Sequence, residues 1–256
     1  MKVVLEAIGR GVLRLFEGVG RFFELLGRTL RGLVLPPYEI ALTARQIVRV
    51  GVDSVPVVFL TALFTGGVLA LQTFKGFQRF HAEGYIGSVV ALSMLRELGP
   101  VLTGLMVTGR AGSAMAAELG SMRVTEQIDA LVALATDPVQ YLFVPRVLAG
   151  IIVTPMLVVL ADATGILGGY VVAVQYLGAN PVVYVNNTFQ FLNMEDLTSG
   201  LIKSAVFGLL LSLIGCQNGY DTTGGAEGVG TSTTSAVVLG SLAILVADFF
   251  LTKVLF

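Results

Sequence analysis

The chain has 256 residues, of which 55% are hydrophobic and 13% charged, with a formal net charge of -1 and a mean hydropathy of +0.84. A soluble domain carries about a quarter charged residues, so the composition excludes a soluble globular protein and points to an integral membrane one. Near-neutral charge gives no reason to expect a nucleic-acid partner. The one cysteine, Cys216, has no partner for an internal disulfide and, in an apolar run, reads as a buried, inert thiol.

Residues 1–35 superficially resemble a signal peptide, but Lys2, Glu6, Arg10, Arg14, Glu17, Arg21, Glu24, Arg28 and Arg31 interrupt any apolar core. Their mean spacing is about 3.6 residues, one helical turn, while Val12, Phe16, Phe22, Phe23 and Leu26 occupy much of the opposite face. The pattern predicts an amphipathic helix lying in the membrane interface, ended by Pro36-Pro37. Residues 54–74 are uncharged over 21 positions, enough to cross a hydrocarbon layer about 30 Å thick. Further transmembrane spans are expected at 85–109, 147–174, 201–217 and 235–255. The fold class is therefore all-α and polytopic, a single domain with five spans. The loop between the first two spans carries the only histidine, His81, which without other metal-ligand types nearby reads as a solvated side chain. A short helix is expected around Val182 to Phe191, in the connection between spans three and four.

Eleven lysines and arginines lie before span one and between spans two and three, against three in the remaining loops and at the end of span five. That asymmetry predicts a cytoplasmic N-terminus, a cytoplasmic 110–146 segment and a C-terminus on the other side.

Five ionisable residues fall within the spans: Arg96, Glu97, Asp162, Lys203 and Asp248. An isolated charge near the bilayer centre costs roughly 2.5–3.5 kcal/mol, so these groups must pair or face a wet cavity. They are read as a charge network fixing helix register, with an ion relay as the alternative. Catalytic signatures are missing: the sequence contains no phosphate-binding loop, no nucleophile elbow and no metal-ligand cluster. No enzyme is expected, and no cofactor bound by this chain. Gly165, Gly168 and Gly169 read as close helix-packing positions. After span two, residues 118–134 form a charged helix carrying Glu118, Arg123, Glu126, Gln127 and Asp129, ended by Asp137-Pro138. Periodicity alone leaves open whether it is a solvated interfacial helix or a docking surface.

The runs L-R-E-L-G-P at Leu95 to Pro100, G-R-A-G-S-A at Gly109 to Ala114, A-E-L-G-S-M-R at Ala117 to Arg123 and E-Q-I-D-A-L at Glu126 to Leu131 occur in this order. With L-I-K-S at Leu201 to Ser204, N-G-Y-D at Asn218 to Asp221 and D-F-F-L-T at Asp248 to Thr252, they resemble the MlaE (YrbE) permease family over nearly the whole chain. The resemblance implies a homodimeric subunit of an ABC transporter in the bacterial inner membrane. Such a subunit works with a cytoplasmic ATPase that uses ATP and magnesium, and with a periplasmic MCE-domain lipid-binding protein, to move phospholipid between inner and outer membranes. It further implies that residues 118–134 are a coupling helix docking into the ATPase, and that Arg96, Glu97, Lys203 and Asp248 form a coupling network. A lipid cavity at the dimer axis would be lined by Leu69, Phe77 and Phe80. An ion-coupled secondary lipid transporter and a membrane scaffold without transport are the competing classes.

Overall fold

The computed structural model describes residues 18, 20–34, 36, 39–80 and 82–255; His81 and most of the expected N-terminal interfacial helix lie outside these. Helix α1 covers residues 20–34. Five long helical rods follow, each apolar and long enough to cross a membrane: Ile40–Phe77, Glu83–Val124, Val139–Tyr176, Met194–Tyr220 and Gly225–Leu255. They are called rods one to five. Rods two and three are longer than the spans read from the sequence because they run on beyond the apolar stretch at both ends. Rod one likewise begins at Ile40, with helix α2 (Ile40–Gly51) joined to α3 (Val55–Phe77) by a single tight turn at Val52–Ser54.

No hydrophobic force pulls helices together inside lipid, so small residues that let backbones touch do much of the packing. Rod one crosses rod three where Gly66 meets Gly165, and a Cβ on Gly66 would stand only 1.8 Å from the Gly165 carbonyl oxygen. Rod three crosses rod four in the same way at Gly150 and Gly208, where a Cβ on Gly208 would be 2.2 Å from the Gly150 oxygen. Gly66→Val should therefore force the two most extensively packed rods apart. We expect loss of the folded, monodisperse species on size-exclusion chromatography, whereas Gly76→Val, at a position open to space, should elute as the parent does.

Rod two is helical throughout but not uniformly α-helical. It comprises α4 (Ile86–Ser93), a π turn at Met94–Leu98, α5 (Gly99–Val107), a second π turn at Thr108–Gly112 and α6 (Ser113–Val124). Pro100 supplies no N–H and so cannot make the α-helical bond to the Arg96 carbonyl. The first π turn sits directly before it.

The charged segment expected as one helix over 118–134 is divided. Glu118 and Arg123 belong to the last turns of rod two, and α7 (Gln127–Ala133) is a separate short helix. The break falls at Glu126, whose φ of 59° is left-handed; the Thr125 hydroxyl donates back to the Ser121 carbonyl at 2.8 Å and competes with helix continuation. Helix α7 ends in a Schellman arrangement around Ala135 (φ 57°), with Ala135 N–H donating to Val132 O and Thr136 N–H to Leu131 O. Asp137 then accepts from Val139 N–H at 3.0 Å and starts rod three, with Pro138 in the first turn. The π turn Val139–Phe143, α8 (Val144–Val171) and a further π turn at Val172–Tyr176 make up rod three. Helix α9 (Pro181–Gln190) follows, close to the short helix expected there. Helices α10 and α11 are rods four and five.

Candidate functional site

Lys203 is fully buried on rod four, and four oxygens surround its ammonium group. Glu97 Oε2 lies at 2.8 Å and Asp248 Oδ1 at 3.2 Å. The remaining two are the Arg96 carbonyl at 3.0 Å and the Thr252 hydroxyl at 2.7 Å. Lys203 thus donates to a carbonyl that Pro100, lacking an N–H, cannot serve. Thr252 sits one turn beyond Asp248 and its hydroxyl also lies 3.2 Å from Glu97 Oε1. Rods two, four and five meet at this one cation.

The side chain of Arg96 leaves the cluster. It donates from Nε to Asp196 Oδ1 at 2.6 Å, with Nη2 also 2.6 Å from that oxygen. Asp196 is 1% exposed and does two jobs, because its other oxygen accepts from Asn193 N–H and closes a capping box at the start of rod four. Asp196 is absent from the residues singled out in the sequence, where it falls in a connection rather than a helix. The pattern Asn193-x-x-Asp196 ahead of an apolar run is the signal that finds it.

The cluster does not lie at mid-span. Lys203 is nine residues into rod four and Asp248 seven residues before the end of rod five, so both lie within about 15 Å of the end remote from the arginines. Asp162 stands apart: it is 5% exposed on rod three and presses against Gly99, and its Oδ1 has no hydrogen-bond partner.

The other end of the rods carries a belt of ion pairs. Glu118 is shared by Arg49 of rod one at 2.8 Å and Arg146 of rod three at 3.0 Å. Arg146 is buried and also donates to the Leu142 carbonyl at 2.7 Å. Arg110 reaches from rod two to rod one, bonding the Ser54 hydroxyl at 2.8 Å, the Arg49 carbonyl and the Asp53 carboxylate at 3.4 Å. Helix α1 is tied down by Arg28 to Asp137 and by Arg21 to Asp221. Arg123 pairs with Asp129 at 2.6 Å and lies over the Tyr220 ring, clamping α7 to the end of rod two. Of the five residues expected on the coupling surface, Glu118 is thus turned toward rods one and three. Glu126 and Gln127 remain exposed on the elbow, next to the exposed apolar Val132 and Leu134.

Beside the Lys203 cluster, Leu98 of rod two and Phe64, Val68, Leu69 and Gln72 of rod one border an open groove of about 330 Å³. Leu69 is the one expected lipid-lining residue found there. Phe77 is two turns further along and half-buried against the core, and the side chain of Phe80 lies outside the described ones.

Five membrane-length helices, an ionic cluster joining three of them near one end and an arginine belt joining them at the other define a polytopic membrane protein. No metal-ligating group of three or more His, Cys, Asp or Glu occurs among the described residues. Residues 43–254 match the family model described as Permease MlaE. The chain is 46% identical over 99% of its length to a probable ABC transporter permease protein of Rickettsia bellii, covering 98% of that protein. It is 38% identical over 98% of its length to the intermembrane phospholipid transport system permease protein MlaE of Haemophilus influenzae, covering 97% of it. It is also 41% identical over 84% of its length to the chloroplastic protein TRIGALACTOSYLDIACYLGLYCEROL 1 of Arabidopsis thaliana, covering 61% of that protein. The chain belongs to the MlaE permease family.

Proposed function

We propose that the chain is the membrane half of an ATP-driven phospholipid transporter, acting as a homodimer and energised by a separate cytoplasmic ATPase. The observation that carries this reading is the continuity of rod two. One unbroken helix places Leu98 on the wall of the apolar groove and ends, about 39 Å further on, at the exposed elbow of Glu126 and Gln127. A push on the elbow is transmitted along a stiff rod to the groove, and the Lys203 cluster hands it on to rods four and five. Two facing grooves, one from each copy, would make a chamber with apolar walls suited to acyl chains and little means of selecting head groups. In this scheme the arginine-rich end is cytoplasmic, in keeping with the charge asymmetry, and the C-terminus faces the periplasm. There an MCE-domain lipid-binding protein would exchange phospholipid with the groove. ATP and magnesium would act in the ATPase partner.

Purification from native membranes tests the whole assignment: an ATPase subunit and phospholipid should co-isolate with a dimer. Glu126→Lys should reduce recovery of the ATPase about tenfold, the equivalent of ~1.4 kcal/mol. Glu126→Asn, which keeps the left-handed turn but removes the charge, should reduce it less. Undiminished recovery in the lysine variant removes this contact from the docking surface; an isolated monomer active alone ends the proposal.

A further inference from the structure

Rod three and α9 enclose a second groove, built from different helices than the one beside Leu98. Ala163, Ile166, Leu167 and Tyr170 of rod three face Val185 and Phe189 of α9 across a cavity of about 290 Å³. Helix α9 starts at an Asn180 cap, whose side-chain oxygen accepts from Val182 and Val183 N–H. It is held in place by Asn187 donating to the Gly84 carbonyl at 2.7 Å and by the edge-on contact of Tyr184 with Tyr170.

The walls are almost wholly apolar, the polar exceptions being Thr188, Tyr170 and Tyr184, whose buried hydroxyl has no hydrogen-bond partner. Thr188 donates its hydroxyl to the Tyr184 carbonyl at 2.8 Å, and the Tyr184 hydroxyl is enclosed beside Gly169 and Val90. The mouth is apolar and exposed, at Leu167 (52%) and Phe189 (72%). A stripe of exposed residues at helical spacing, Ile152, Met156, Val159 and Ala163, runs along rod three directly into it. The stripe is apolar and exposed on a helix long enough to cross a membrane, so the groove opens onto a surface at which the bilayer would meet this chain.

Its depth places it in one leaflet. Arg146, tied to Glu118, marks the arginine-rich boundary of rod three. Ala163 and Leu167 stand 17 and 21 residues further along, about 26 and 32 Å at 1.5 Å per residue. Against a hydrocarbon layer about 30 Å thick, the groove reaches from the far leaflet's acyl region to its interface.

We propose that this groove is a lateral lipid site that takes one acyl chain of a glycerophospholipid from the leaflet remote from the arginine-rich end, without reading its head group. The inference rests on the chain spanning the membrane and is independent of whether it transports lipid. The absence of tryptophan supplies the test. Leu167→Trp and Val185→Trp place single reporters at the two lips of the groove, and Met156→Trp places one on the lipid-facing stripe outside it. Each full-length variant, monodisperse in detergent, is titrated with phosphatidylcholine brominated in its acyl chains. Expected is saturable quenching at both lip positions with about one lipid per chain, weak non-saturating quenching at Met156→Trp, and loss of the saturable phase when Ala163→Phe is added to Val185→Trp. Phosphatidylglycerol with the same brominated chains should give the same curves. Equal non-saturating quenching at all three positions would mean annular lipid only and overturn the site. So would lip reporters that are shielded from brominated lipid in native membranes, because a partner helix would then be covering the groove.

Discussion

Lys203→Met should lower the thermal unfolding midpoint of the detergent-solubilised protein by on the order of 10 °C, and adding Glu97→Gln and Asp248→Asn should restore most of that loss. The lysine is fully buried and is the only cation within bonding distance of the Glu97 and Asp248 carboxylates among the described contacts. Removing one partner of a buried ion pair costs about 3–5 kcal/mol, because the remaining charge stays desolvated and unpaired, whereas replacing the whole set by neutral groups is often close to neutral. At 2–4 °C per kcal/mol for a chain of this size, the single change falls in the stated range. The triple variant retains a residual deficit, since the Arg96 carbonyl loses the ammonium donor that reaches it at 3.0 Å. Stability and function should then separate: the triple variant, folded but without the clamp joining rods two, four and five, should not support lipid transport in cells. A Lys203→Met protein as stable as its parent, or a triple variant that transports normally, would show that the cluster neither holds nor couples the rods.

The pairing of Glu97, Lys203 and Asp248 was legible in the sequence for the same reason. Five charges of mixed sign in apolar spans favour one another; Glu97, Lys203 and Asp248 do meet, whereas Asp162, read as one of the same set, stands apart with its Oδ1 unpartnered. What the linear pattern did not contain was the reason for Arg96. Hydropathy assigns Arg96 to the same cluster, but its guanidinium turns to Asp196, and only its carbonyl joins Lys203. The five spans were visible because lipid demands about 20 apolar residues, but that demand ends at the interface. The continuation of rods two and three beyond it depends on capping by Asp137 and on the belt of arginine pairs, contacts between residues as far apart as Arg28 and Asp137. The π turns of rod two left no trace in periodicity, since each inserts a single residue without changing composition. The elbow was seen as one helix because nothing in a Val-Thr-Glu run demands a left-handed residue at Glu126.

Glu118 is the position where that long-range belt makes its strongest prediction. Read from spacing, it belongs with the exposed acidic residues of the elbow; in the fold, its carboxylate bridges Arg49 of rod one and Arg146 of rod three. The two arginines are not equivalent. Arg49 is half-exposed, and a solvated pair of that kind contributes about 0–1 kcal/mol. Arg146 is buried and its Nε has no hydrogen-bond partner, so loss of Glu118 strands a charge that water cannot reach. Glu118→Gln should accordingly destabilise the protein several times more than Arg49→Gln in chemical-denaturation or thermal-melt measurements. A double-mutant cycle with Arg146→Gln should give a coupling of about 1–3 kcal/mol. If rod two is the lever of an ATP-driven permease, the same substitution should also uncouple it. ATP hydrolysis by the assembled complex should persist while lipid movement falls about tenfold, because the driven end of rod two is no longer fastened to rods one and three. The contrast with Glu126→Lys is the useful one: that change should weaken attachment of the motor and leave the rods joined, whereas Glu118→Gln should leave the motor attached and the rods slack. Equal effects of Glu118→Gln and Arg49→Gln on both stability and coupling would reduce the bridge to an ordinary surface pair.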